Sequence, residues 1–136
     1  MLLKQLSNKD KEYFWILTNY LMMADGKIAD EEIAIMKEYA EEMEYEKKIE
    51  KVSKEEVEKV VENLKSHSPR EKRIIYFELL ALAFSDLVFA DEEKMFLDEV
   101  GEKFGISENE RNEMIDIVNG LTILYRDIYQ FINKNN

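Results

Sequence analysis

Residues 21–38 read LMMADGKIADEEIAIMKE, and residues 82–99 read LAFSDLVFADEEKMFLDE. At a constant offset of 61 residues, seven positions coincide: Leu21/Leu82, Asp25/Asp86, Ala29/Ala90, Asp30/Asp91, Glu31/Glu92, Glu32/Glu93 and Glu38/Glu99. Repetition at a fixed period implies two copies of one structural unit, so the fold has to hold the same piece of chain twice. In each copy a lone Asp is followed, seven positions on, by the second Glu of an A-D-E-E run. A chain that repeats this spacing at the junction of two helices is placing carboxylates in space.

The periodicity is helical throughout, with no convincing alternation at period two. One Pro and four Gly leave little material for the turns of an all-β fold. Helix starts are well marked. Ser53 to Glu56, Ser68 to Glu71 and Ser107 to Glu110 are capping boxes, in which a Ser oxygen and a third-residue Glu satisfy orphan N–H groups. Pro69 stands at a first helical position, where its missing N–H is harmless. Asp30 and Asp91 suit two further N-caps, and Gly26 and Gly105 suit left-handed stops. These signals predict helices over 9–24, 31–44, 54–66, 69–86, 92–104, 108–119 and 121–133. The fourth is apolar almost all round, as expected of a helix buried on every side. The fold class is therefore all-α: residues 1–136 form one domain, a bundle of about seven helices. Two pseudo-symmetric helix–loop–helix halves (10–45 and 71–106) surround a buried central helix.

Charge narrows the function classes. A net charge of −11, from 30 acids against 19 bases, disfavours nucleic acid, whose affinity comes largely from neutralised phosphates. It suits a cation or a basic partner. With no cysteine, disulfides, thiolate metal sites and cysteine catalysis are excluded. The opening residues lack the apolar core and cleavage site of a signal peptide. The longest apolar stretch, 74–90, is interrupted by Glu78 and Asp86, short of the roughly 20 clean residues of a membrane span. The expectation is a cytoplasmic protein with no direct membrane insertion.

At 100° per residue, Ile33, Met36, Tyr39, Ala40 and Met43 define one side of the second helix, and Glu32 falls within that arc. In the fifth helix Phe96, Leu97, Val100 and Phe104 do the same around Glu93. Asp25 and Asp86 extend the apolar stripes of the helices before them. Both stand at helix C-termini, where the macrodipole disfavours negative charge by about 0.3–1 kcal/mol. Asp-Gly is a common turn pair and explains Asp25-Gly26 alone. Asp86, however, recurs before Leu87, where the Gly is absent. Asp25, Glu32, Asp86 and Glu93 are thus the candidate ligands, with capping and fold symmetry as the bland reading. Oxygen-only ligands select a hard divalent cation, Ca²⁺ or Mg²⁺.

The run Met23-Ala24-Asp25-Gly26-Lys27-Ile28 through Glu32, with its echo Ser85-Asp86 through Glu93 and Phe104-Gly105-Ile106-Ser107, resembles the TerB-like family. That family includes tellurite-resistance TerB and the N-terminal region of DnaJ-like, membrane-anchored co-chaperones. The resemblance covers about residues 10 to 130. It implies a helical bundle with internal pseudo-symmetry and a cluster of acids that binds a divalent metal, here Asp25, Glu32, Asp86 and Glu93. Leu87 departs from the usual Gly of the second motif. The implied role is a non-enzymatic module, in stress response or protein interaction, acting through a protein partner.

Two other function classes compete. A helical Mg²⁺-dependent nucleotide hydrolase would use Glu-x-x-Glu and Glu-x-x-Asp pairs. Glu38/Glu41, Glu55/Glu58 and Glu113/Asp116 match in form, as chance allows in so Glu-rich a chain. A purely structural interaction domain would use the acids only as caps. An EF-hand is excluded, because it needs Gly at loop position 6 and Glu at 12. His67, in the cationic connector 65–73, reads as a surface residue. Leu124, Tyr125, Ile128, Tyr129, Phe131 and Ile132 crowd the last helix. Closure of the bundle is the expected use of that face, and an oligomer interface, giving a homodimer, is the other.

Overall fold

A computed structural model describes residues 2–24, 26, 30–45, 48–85 and 90–135. A 3-10 turn, Leu3–Gln5, precedes six helices: α1 (Asn8–Met22), α2 (Asp30–Met43), α3 (Lys54–Leu64), α4 (Pro69–Ala83), α5 (Asp91–Lys103) and α6 (Glu108–Ile132). Among the described residues there is no strand, and no helix is long and apolar enough to cross a membrane. The all-α expectation holds.

The helix starts follow the sequence signals. The hydroxyls of Ser53, Ser68 and Ser107 accept from the N–H of Glu56, Glu71 and Glu110. Ser7 makes the same bond to Asp10. Each such cap contributes on the order of 1 kcal/mol. Two boundaries differ from expectation. Asp91 is the first helical residue rather than the cap, which is Ala90 in extended conformation, and Asp30 likewise stands inside α2. The final two expected helices are one, since α6 runs unbroken through Gly120. A single Gly costs only about 1 kcal/mol in a helix, and the Thr122 hydroxyl donates to the Val118 carbonyl across that point at 3.0 Å.

The 61-residue offset extends to the helices themselves. α1 and α4 begin and end at equivalent positions, and α2 and α5 begin at equivalent positions. The second helices also close alike: Tyr45 N–H donates to the Ala40 carbonyl and Ile106 N–H to the Gly101 carbonyl, both at 2.9 Å. The turn residues Glu44 and Gly105 take φ of 53° and 74°. Gly26, with φ of 76°, is left-handed too.

α4 is the axis. It packs against α1, α2, α5 and α6, and Ile75, Leu79, Leu80 and Leu82 are wholly buried. Each such side chain stabilises the fold by about 1.5–3 kcal/mol. α3 lays Val57, Val60, Val61 and Leu64 against the core. The connector before it is tied to α1, because Trp15 Nε1 donates to the Lys48 carbonyl (3.2 Å) and the Asn19 side-chain Oδ1 accepts from Glu50 N–H (2.9 Å). The 3-10 turn is held from two sides. Leu2 N–H donates to a carboxylate oxygen of Glu78 and Leu3 N–H to one of Glu42, each at 3.1 Å. Glu78, an interruption in the apolar run of α4, is thus a buried acceptor.

Candidate metal centres

The repeat delivers its glutamates as the helical phase requires. Glu32 and Glu93 are the third residues of α2 and α5, and they keep only 7% and 5% of their surface exposed. Their neighbours Glu31 and Glu92 are exposed. Burying a carboxylate costs several kcal/mol unless partners or a cation compensate. One oxygen of Glu93 accepts from Ala90 N–H at 3.3 Å, doing from the helix interior what the Ala90 side chain cannot. Asp25 and Asp86 lie outside the described residues. Two of the four candidate ligands are therefore placed, both turned toward the core. Carboxylate oxygens are the donor type that Ca²⁺ and Mg²⁺ take.

A second cluster was not anticipated. Asp10, His67 and Glu71 each offer one ligand atom within 4.8 Å of the others. His67 Nε2 lies 2.9 Å from Asp10 Oδ1, and the two side chains are 25% and 3% exposed. The surface reading of His67 is corrected: the α3–α4 connector turns the imidazole inward onto the first turn of α1. Asp10 and Glu71 are equivalent at the 61-residue offset, as are their capping partners Ser7 and Ser68. Two copies of one capping box thus face one histidine. Burial, above all, raises the Asp10 carboxyl above the usual range, Glu71 adds to the rise, and His67 pulls against it. The signal in the sequence was Ser7-x-x-Asp10 at the repeat offset from Ser68-x-x-Glu71. What hid it is that the contact spans 57 residues between Asp10 and His67.

The last helix does not close the bundle. Only Arg111 and Val118 of α6 are buried. Leu124, Tyr125, Ile128, Tyr129, Phe131 and Ile132 are half or more exposed, Phe131 at 74%. The helix continues unbroken beyond Gly120 and leaves the apolar face of its second half exposed. Between its middle, α2 and α4 lies a groove of about 940 Å³, lined by Ile35, Tyr39, Ala81, Leu121 and Tyr125, with Glu31 and Glu38 among its acids. The Tyr39 hydroxyl donates to the Glu78 carbonyl at 2.7 Å. Burial and the nearby Glu78 carboxylate hold its pKa well above the ordinary 10.0, so it remains a neutral donor. The Tyr76 hydroxyl is pushed up to about 12, mainly by burial.

A family model described as "Tellurite resistance protein TerB" matches residues 15–115. Comparison with curated proteins and with solved structures found no match.

Proposed function

The chain belongs to the TerB family, and on that premise we propose that it is a non-enzymatic module that binds Ca²⁺ or Mg²⁺ through Asp25, Glu32, Asp86 and Glu93. It acts through protein contacts, in a stress-response setting. The observation that carries this reading is the paired burial of Glu32 and Glu93. An acid placed only to complement a helix dipole works at the surface, as Glu31 and Glu92 do. Glu93 also closes a capping box on Ala90 N–H, but such a box forms equally well at the surface, as at Ser53 and Glu56, and does not by itself bury the third-residue acid in both copies. A shared cation supplies a common reason.

The test is thermal unfolding with chelator and with added Ca²⁺ or Mg²⁺. A cation that binds only the folded state stabilises it by about 2.7 kcal/mol at a hundredfold excess over its dissociation constant. Asp25→Asn with Asp86→Asn removes that gain and leaves the metal-free protein at least as stable, since repulsion is relieved. An unmoved melting temperature, with destabilisation by the Asn pair, would make these acids structural caps.

The exposed apolar end of α6 supports the second half of the reading, and the occupant it fits is a second copy of the chain. Its tip carries Lys134, and the groove carries Glu31 and Glu38 with Arg126 on its own wall. Two copies each at −11 repel at long range, and added salt screens that repulsion. Sedimentation should therefore show a dimer that tightens with salt and is lost in Tyr129→Glu. A monomer at every salt concentration would remove this part.

A further inference from the structure

We propose that Asp10, His67 and Glu71 form a second metal site, separate from the repeat carboxylates, that takes a first-row transition dication of the Zn²⁺ class. The donor set decides the class. An imidazole nitrogen beside two carboxylates is a borderline set, suited to Zn²⁺ and its neighbours rather than to Ca²⁺ or Mg²⁺. Two carboxylates and a neutral imidazole also match the charge of a dication.

The distances permit it. Ligand atoms held roughly 2.0–2.2 Å from one ion stand about 3 Å apart when adjacent and somewhat over 4 Å when opposite. Here Asp10 Oδ1 and His67 Nε2 are 2.9 Å apart, and all three ligand atoms lie within 4.8 Å of one another. Glu71 keeps one oxygen on the Ser68 hydroxyl at 3.0 Å, which orients it as hydrogen-bonded ligands of metals are oriented.

A second observation points to an occupant. Asp10 is 2% exposed, yet its buried Oδ1 has no partner beyond the ion-pair contact with His67 Nε2. Buried polar atoms are nearly always satisfied, so a carboxylate oxygen held only by that contact, and aimed at the other two ligands, marks a place the chain alone does not complete. Plain capping does not account for it, because a capping carboxylate serves its own helix and Asp10 faces His67. Asp10 precedes the stretch matched by the family model, residues 15–115, while His67 and Glu71 lie within it.

His67 is the one histidine of the chain, so its imidazole signals in ¹H–¹³C NMR need no assignment. Zn²⁺ added to the full, metal-free chain should shift those signals saturably at one equivalent and release protons, since the ligands bind deprotonated. His67→Ala should weaken Zn²⁺ binding by about tenfold or more, as should Glu71→Gln, which keeps the shape of a partly exposed side chain. Both variants should keep whatever melting response to Ca²⁺ or Mg²⁺ the wild type has. Asp25→Asn with Asp86→Asn should leave Zn²⁺ binding unchanged, so that failure of the repeat site and failure of this one are distinguishable. Imidazole signals that follow pH but ignore Zn²⁺ would reduce the cluster to an ion pair and overturn the proposal, as would wild-type Zn²⁺ affinity in His67→Ala.

Discussion

The two copies of the repeat have opening helices of identical length, yet they end differently. The first copy finishes α2 with Glu44 in a left-handed turn and passes through a long connector to α3, which buries a full apolar face. The second finishes α5 with Gly105 and passes after two further residues into α6, most of which is exposed. Where both copies contact the shared centre, the positions match in burial: Leu21 with Leu82, Glu32 with Glu93. Where each meets its own third helix, they part. The common core constrains what touches it, and the flanking helices adapt to their own surroundings.

The largest expected effect tests the equivalence at the centre. Leu21→Ala and Leu82→Ala, both at wholly buried positions, should each cost about 2–5 kcal/mol. Similar costs in urea unfolding sharpen the match. A difference beyond 2 kcal/mol (about the spread at fixed chemistry) breaks it.

Next comes the point of divergence. Gly101 is the counterpart of Ala40, and a Cβ there would collide with the Arg111 side chain and press on the Tyr76 ring. Arg111 is fixed, because its Nη1 donates to the Ile106 carbonyl at 2.6 Å. Gly101→Ala should therefore destabilise by about 1–3 kcal/mol despite the better helix former. Ala40→Gly should cost only about 0.5–1 kcal/mol. A stabilised Gly101→Ala in thermal unfolding would mean that the α5–α6 approach is loose.

A smaller change should bring the copies together. Glu44 takes a left-handed φ that Gly105 adopts freely, at about 1–2 kcal/mol for a residue with a Cβ. Glu44→Gly should recover up to about 1 kcal/mol, read as a raised melting temperature. A loss would show that the Glu side chain has an offsetting contact.

The smallest effect is a slope rather than an offset. The raised Asp10 pKa means that the folded state holds this proton more tightly than the unfolded chain. Below the ordinary value of 3.8 both states are protonated and the group is neutral to stability. As pH rises past 3.8 and through the raised folded value, ionisation penalises the folded state, and the penalty then stays constant. Asp10→Asn should flatten that part of the stability–pH profile, while the profile of Glu71→Gln should shift the same way by less. Parallel wild-type and Asp10→Asn profiles would contradict the burial argument.

Local chemistry was legible in the chain and long-range chemistry was not. Ser53, Ser68 and Ser107 announce helix starts because a cap needs only its own three neighbours. The inward turn of Glu32 and Glu93 follows from angular phase on one helix. His67 gave no such sign. Its environment is made by Asp10, brought there by the packing of α4 on α1, and a polar connector looks the same whether or not it folds inward. The end of α6 misled for a related reason: an apolar face shows that something should cover it and not what. The expected helices 108–119 and 121–133 part at Gly120, yet α6 is continuous there, because a Gly breaks a helix only when nothing carries the chain across.

The two carboxylates that hold the 3-10 turn bear on the order in which the chain can be completed. Leu2 N–H waits for Glu78, 76 residues later. At a synthesis rate of roughly 5–20 residues per second, the opening segment leaves the ribosome several seconds before its acceptor exists. α1 and α2 can pair in that interval, but their N-terminal edge stays unlatched until α4 arrives. Glu78 therefore acts as a clasp fastened late, and the first copy of the repeat cannot reach its final form until the second has begun.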